Sequence, residues 1–134
     1  MKKLIIVILG FIVIGFSSCK KVIEQYYTTP NQTIFYNINA SNWTSSNANF
    51  TYKTTLSFLQ SDSYLNTYDG ILVYISYDGG TNFIAIPQTY NGLAYSFSVN
   101  NNKVVLEVQS SDYNTAIANP GSMFVKVVLI PSVE

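Results

Sequence analysis

Histidine and arginine are absent from this 134-residue chain, and cysteine occurs once, at position 19. Without histidine there is no side chain whose ordinary titration falls near neutral pH, and no imidazole to ligate a metal. Without arginine there is no planar fork to clamp a carboxylate or phosphate. The seven lysines are scattered, so a basic face that neutralises nucleic-acid phosphates is not expected. A single thiol makes no disulfide within the chain, and stability must come from packing. Charged residues are only 10% of the sequence, and Asn, Ser, Thr and eleven tyrosines carry the polarity instead.

What is present begins with Met1 to Lys20, MKKLIIVILGFIVIGFSSCK. Lys2 and Lys3 form a basic start, and Leu4 to Phe16 an apolar run. That run is shorter than the ~20 residues a spanning helix needs, so it reads as a segment to be removed. Ser17, Ser18 and Cys19 resemble the lipobox of bacterial lipoproteins, although Phe16 stands where leucine is commonest. The resemblance implies cleavage after residue 18 and lipid attachment at Cys19. With two or three acyl chains such a protein is held at a membrane without crossing it. Beyond residue 18, five lysines face seven carboxylates, a slightly acidic balance.

Residues 19–30 read as the lipidated cysteine with a short tether, and residues 31–134 as one domain, a length suited to a single modest core. Alternation of apolar and polar residues dominates it. Phe50, Tyr52, Thr54, Leu56 and Phe58 alternate with Thr51, Lys53, Thr55 and Ser57, a period of two that only a strand presents on one face. Leu93 to Val99 and Lys103 to Gln109 alternate likewise on either side of an Asn-rich turn, predicting a hairpin. Ile71 to Tyr77 and Met123 to Ile130 are almost continuously apolar, which predicts central strands covered on both faces. With Thr33 to Ala40, Asn49 to Phe58, Asn82 to Ile86 and Ser122 to Ile130 as further bounds, the count is about seven strands and no amphipathic helix. The expected fold is all-β, an antiparallel β-sandwich of immunoglobulin-like kind. The longer connections, Leu59 to Gly70 and Ser110 to Gly121, are where loop-borne function is expected.

Ser76 to Phe83, SYDGGTNF, is the most specific local motif. It resembles the Asp-box hairpin, with Asp78 accepting backbone N–H bonds and Gly79 and Gly80 supplying positive φ. Asp boxes recur in sialidase propellers, but a propeller needs several blades and this chain has one copy. A structural turn is the reading. Paired-carboxylate chemistry would have to draw on Asp62, Asp69, Asp78, Glu107 or Asp112, most of which are explained as turn formers or exposed strand residues. No cofactor and no metal site is expected, since Asp62 and Asp69 lack the ligand spacing of a calcium loop. Trp43, Tyr64, Tyr68 and Tyr90 fall outside the cleanest alternation and are the candidate binding aromatics, placed to stack on a sugar or to dock a protein.

The leader, the block DGILVYISYDGGTNFIAIPQTY, the strand Leu93 to Val99 and the closing MFVKVVLIP together resemble short envelope lipoproteins of Bacteroidota. Many of those place a collagen-like stretch, absent here, before one all-β domain. The resemblance implies an envelope location and a β-sandwich and supplies no catalytic residue; the expected location is the outer membrane, by its lipid. Lys20 and Lys21, where surface-exported lipoproteins often carry acids, lean towards the periplasmic face. The functional expectation is a non-enzymatic, lipid-anchored binding or structural module. Its partners are the membrane and a protein or glycan, not nucleic acid. A glycan-binding lipoprotein is the first alternative and a two-carboxylate hydrolase the remote one.

Overall fold

The computed structural model describes residues 30–58, 70–100 and 103–132. Cys19, the tether before Pro30, Tyr64, Tyr68 and most of the Leu59 to Gly70 connection lie outside them. Among these residues are nine strands, β1 (Gln32–Ile38), β2 (Thr44–Ser46), β3 (Thr51–Ser57), β4 (Gly70–Ser76), β5 (Ile84–Ile86), β6 (Gln88–Tyr90), β7 (Leu93–Asn100), β8 (Lys103–Ser110) and β9 (Met123–Ile130), and one 3-10 turn at Ala40–Asn42. They form a four-stranded sheet, β1-β9-β4-β5, and a five-stranded sheet, β2-β3-β8-β7-β6, with every pairing antiparallel.

The all-β antiparallel sandwich is thus as the alternation requires. Its strand order refines the immunoglobulin-like expectation. In that plan the first strand lies beside the second, whereas here β1 pairs with the last strand and β3 with β8. Two strands beyond the expected seven are β2 and β6, three residues each, too short to display a period. Between β5 and β6 the chain passes from one sheet to the other at the cis Ile86–Pro87 bond.

The core lies between the sheets. Val73 and Ile75 of β4 and Val125, Val127 and Leu129 of β9 meet Leu56, Tyr95, Val104, Leu106 and Val108 from the other layer. Each is the inward member of an alternating strand, which is why the period of two survives in β3 and β8. β4 and β9 are central in their sheet, but they are covered on one face only. Their outward residues Leu72 and Phe124 are exposed. Among the described residues no helix lies over that second face, so the expectation of two buried faces fails there.

Trp43 also departs from expectation. It is 6% exposed and belongs to the core, and its Nε1 donates to the Gly121 carbonyl at 2.8 Å. That bond, with Asn119 Nδ2 to Ala40 O and Ile117 N to Asn49 O, straps the Ser110 to Gly121 connection onto the β1–β2 corner and the β2–β3 turn. An indole in a loop can be a ligand platform or an anchor; here its N–H is spent inside the fold.

Candidate functional site

Register brings the site together on the outer face of the four-stranded sheet. Lys126 of β9 lies opposite Phe35 of β1 on one side and Tyr74 of β4 on the other. The flanking rows are Thr33, Val128 and Leu72 on one side, and Asn37, Phe124 and Ser76 on the other. Phe35 is 62% exposed and Leu72 45%. The face therefore presents an aromatic and aliphatic surface around one cation.

A fourth aromatic is delivered by the turn between β4 and β5. Ser76 is buried because the turn folds back over it: its Oγ donates to Asp78 Oδ1 at 2.8 Å and accepts from the Gly80 N–H at 2.9 Å. Asp78 then accepts from the Asn82 N–H at 2.9 Å and from Asn82 Nδ2 at 2.6 Å. Donation from Asn82 and Ser76 holds its carboxyl down at about 2, below the ordinary carboxylate range. Gly79 and Gly80 have φ of +73° and +91°, which glycine adopts without penalty. A side chain at Gly80 would meet the Phe124 and Phe83 rings. The turn therefore lies against the outer face and lays Phe83 across it. Phe83 reaches Phe35 with ring centroids 5.8 Å apart, and Lys126 Nζ sits 4.9 Å from the Phe83 centroid and 4.4 Å from that of Tyr74. Among the described residues no carboxylate pairs with Lys126.

A second turn repeats this chemistry at the end of β8. Ser110 Oγ donates to Asp112 Oδ1, and Asp112 accepts from the Asn114 and Thr115 N–H groups and from Thr115 Oγ1. Its carboxyl too is held at about 2, chiefly by the Ser110 and Asn114 bonds. Glu107, opposite Lys53 across β3 and β8, is ion-paired to it at 2.6 Å. Each of these three acids is thus a hydrogen-bond or ion-pair acceptor with its partners in place.

Tyr90 is the one candidate aromatic that the described residues place at the surface, 49% exposed, and it belongs to β6 of the other sheet. It stacks on Tyr77 at 5.2 Å, while Tyr77 meets Tyr95 edge-on at 5.6 Å and accepts from Gln88 Nε2 at 3.1 Å. Desolvation first, then its bond with Tyr95, raises the Tyr77 hydroxyl's pKa, and desolvation raises that of Tyr95, so these two phenols stay protonated at the edge of the core. A separate open groove of about 680 Å3 runs along the opposite edge, between Tyr36, Asn37 and Ile38 of β1 and Lys53 to Ser57 of β3. Tyr36 bridges it by donating to the Ser57 carbonyl.

Phe35, Phe83 and Lys126 escaped the sequence reading as site residues. The signal was present in the failed alternation of β4 and β9: a continuously apolar strand in a two-layer antiparallel sandwich has one apolar face left over. No known protein family, curated protein or solved structure matches this chain.

Proposed function

We propose that this protein is a non-enzymatic binding module, anchored at the periplasmic face of the outer membrane through lipid on Cys19, and that it contacts a protein partner through the outer face of the four-stranded sheet. The observation that carries the contact surface is the row Phe35, Lys126, Tyr74, overlaid by Phe83, exposed where the opposite sheet is polar. Aromatic and aliphatic side chains around one cation are the composition of interface anchors. Phe35, Leu72 and Phe124 are exposed together on that face, and apolar area of that kind favours a protein over a sugar. The absence of catalysis in this reading is supported by the engagement of Asp78, Asp112 and Glu107. Among the described residues no helix is long and apolar enough to cross a membrane, and the lipid supplies the attachment.

A glycan ligand is the second reading, favoured by the groove, whose lining of Asn37, Asn42, Thr44, Thr55 and Ser57 offers amides and hydroxyls. The two are separated by placing a photo-cross-linking residue in the full chain at Leu72 or at Ser98 and irradiating intact cells. Protein adducts at Leu72 and none at Ser98 are expected; equal adducts at both, or none at Leu72, overturn the contact surface. Palmitate labelling should be lost in Cys19→Ser, and labelling retained in that variant would overturn the anchor.

A further inference from the structure

The edges of this sandwich are treated unequally. β2, β5 and β6 are three residues each, β5 stops at Pro87, and β2 runs into the positive-φ turn Asn47, Ala48, Asn49. Short edges, proline and sharp turns are the usual devices against edge-to-edge pairing. β1 carries none of them. It runs seven residues, QTIFYNI, without proline, glycine or charge, and pairs with β9 along its whole length on one side. Among the described residues no backbone hydrogen bond reaches its other side, where alternate N–H and C=O groups stand free. At its midpoint is Phe35, the most exposed large apolar residue of any strand.

We propose that a second copy of this chain pairs antiparallel with β1, edge to edge, about a two-fold axis at Phe35. Only registers that oppose outward residues to outward residues keep the faces of the two sheets continuous. Of these, centring on Phe35 pairs all seven residues. Phe35 then faces its own copy, Ile34 faces Tyr36, Thr33 faces Asn37, and Gln32 faces Ile38. Every pair is neutral, and the exposed rings meet as a cross-strand aromatic pair. A contact of about 24 Å, seven residues at ~3.4 Å each, is small for a specific interface, so Phe35 is needed in addition to the ladder. The one cation on this face does not oppose the pairing: the two Lys126 residues would stand three strand spacings apart, about 14 Å. That exceeds a Debye length of about 8 Å at physiological salt. A foreign strand would find the same free N–H groups, but the neutral, self-matching register and the central Phe35 favour a second copy. The result is a continuous eight-stranded sheet with two aromatic faces side by side.

Disulfide trapping in intact cells tests both the pairing and its register. Directly opposed residues in an antiparallel pair lie within disulfide reach, at ~4.5 to 5.5 Å between Cα atoms. Thr33→Cys and Asn37→Cys, co-expressed in the full chain with different tags, should cross-link to each other at least about fivefold more than either does to itself. Both side chains are exposed, so the core is untouched and the Phe35 ring is kept. As an independent measure, sedimentation of the detergent-extracted chain should give a dimer that Phe35→Lys weakens at least about tenfold. Equal trapping in the mixed and single Thr33→Cys samples, trapping of either cysteine to a different protein, or a wild-type monomer would each overturn the proposal.

Discussion

The two outer faces of this sandwich share a backbone plan and differ in chemistry. Each has a lysine in a cross-strand row. On the five-stranded sheet the row is Lys53, Glu107, Ser96, and the lysine is ion-paired. Around it stand Thr55, Ser57, Ser98 and Gln109, a surface that water solvates well. On the four-stranded sheet the row is Phe35, Lys126, Tyr74, and the lysine rests on rings. Both sheets bury an inner face against the other, so core stability explains neither outer face. The difference lies in what each outer face is free to do: solvent satisfies the first, whereas the second leaves apolar area that folding does not use.

The sharpest way to break this contrast is to erase one face at a time. Phe83→Ala with Phe124→Ala should cut the adduct at Leu72 at least tenfold, as the loss of about 2 to 4 kcal/mol of anchor contacts would. Ser96→Ala with Ser98→Ala should leave it unchanged. An equal loss in both pairs would mean that the faces are not distinct in function.

Next in size is a change beneath both faces. Trp43→Phe removes the only donor shown for the Gly121 carbonyl and should cost about 1 to 3 kcal/mol in urea unfolding. Leu72 adducts should persist in the fraction that remains folded. Loss of adducts at full foldedness would return Trp43 to the list of binding residues. Gly80→Ala comes third. Its φ of +91° and the neighbouring Phe124 ring predict a cost of about 1 kcal/mol, with Phe83 displaced and Leu72 adducts reduced.

How far the sequence foretold these faces depends on the element. In β3, β7 and β8 the alternation exposed the inward side directly, because polar residues on the outer face made the period visible. In β4 and β9 the same inward residues were legible, but apolar partners at Leu72, Phe124 and Val128 masked the period and suggested two buried faces. Asp78, Gly79 and Gly80 were legible as a turn, since only local bonds are involved. That the turn delivers Phe83 onto Phe35, separated by 48 positions in the chain, required the β1–β9–β4 register, which no local pattern encodes. Trp43 failed for the same reason: its acceptor is 78 residues away.

Acid should separate the turns that serve the two ends. Asp78 and Asp112 are both held at about 2, against an ordinary value of 3.8. A carboxyl depressed by folding contributes its stability above the unfolded value and loses it as pH falls through the folded one. Thermal stability should therefore be insensitive to these groups from pH 7 to 5 and decline between about pH 4 and 2. Asp78→Asn should remove part of that decline and reduce Leu72 adducts at neutral pH, because Phe83 depends on its turn. Asp112→Asn should remove a comparable part of the decline and spare the adducts. Loss of adducts in both variants would join what the comparison separates.

The smallest effects lie in the two lysines, where the comparison is most direct. Double-mutant cycles in urea isolate each pairwise interaction from the cost of truncating either residue. Lys53→Met with Glu107→Gln should give a coupling of about 0.2 to 1 kcal/mol that shrinks in high salt, since both side chains are partly exposed. Lys126→Met with Phe83→Leu should give about 0.5 to 1 kcal/mol, the range for a cation over an aromatic face. Methionine keeps the stem that packs on the rings and removes only the charge, so the cycle reads the charge itself. A coupling near zero would mean that Phe83 does not hold Lys126. Its ammonium would then be released for a carboxylate on the partner, and Lys126→Met would lower adduct yield without lowering stability. A measurable coupling with no change in yield would assign the cation to the platform, leaving the apolar rings as the contact.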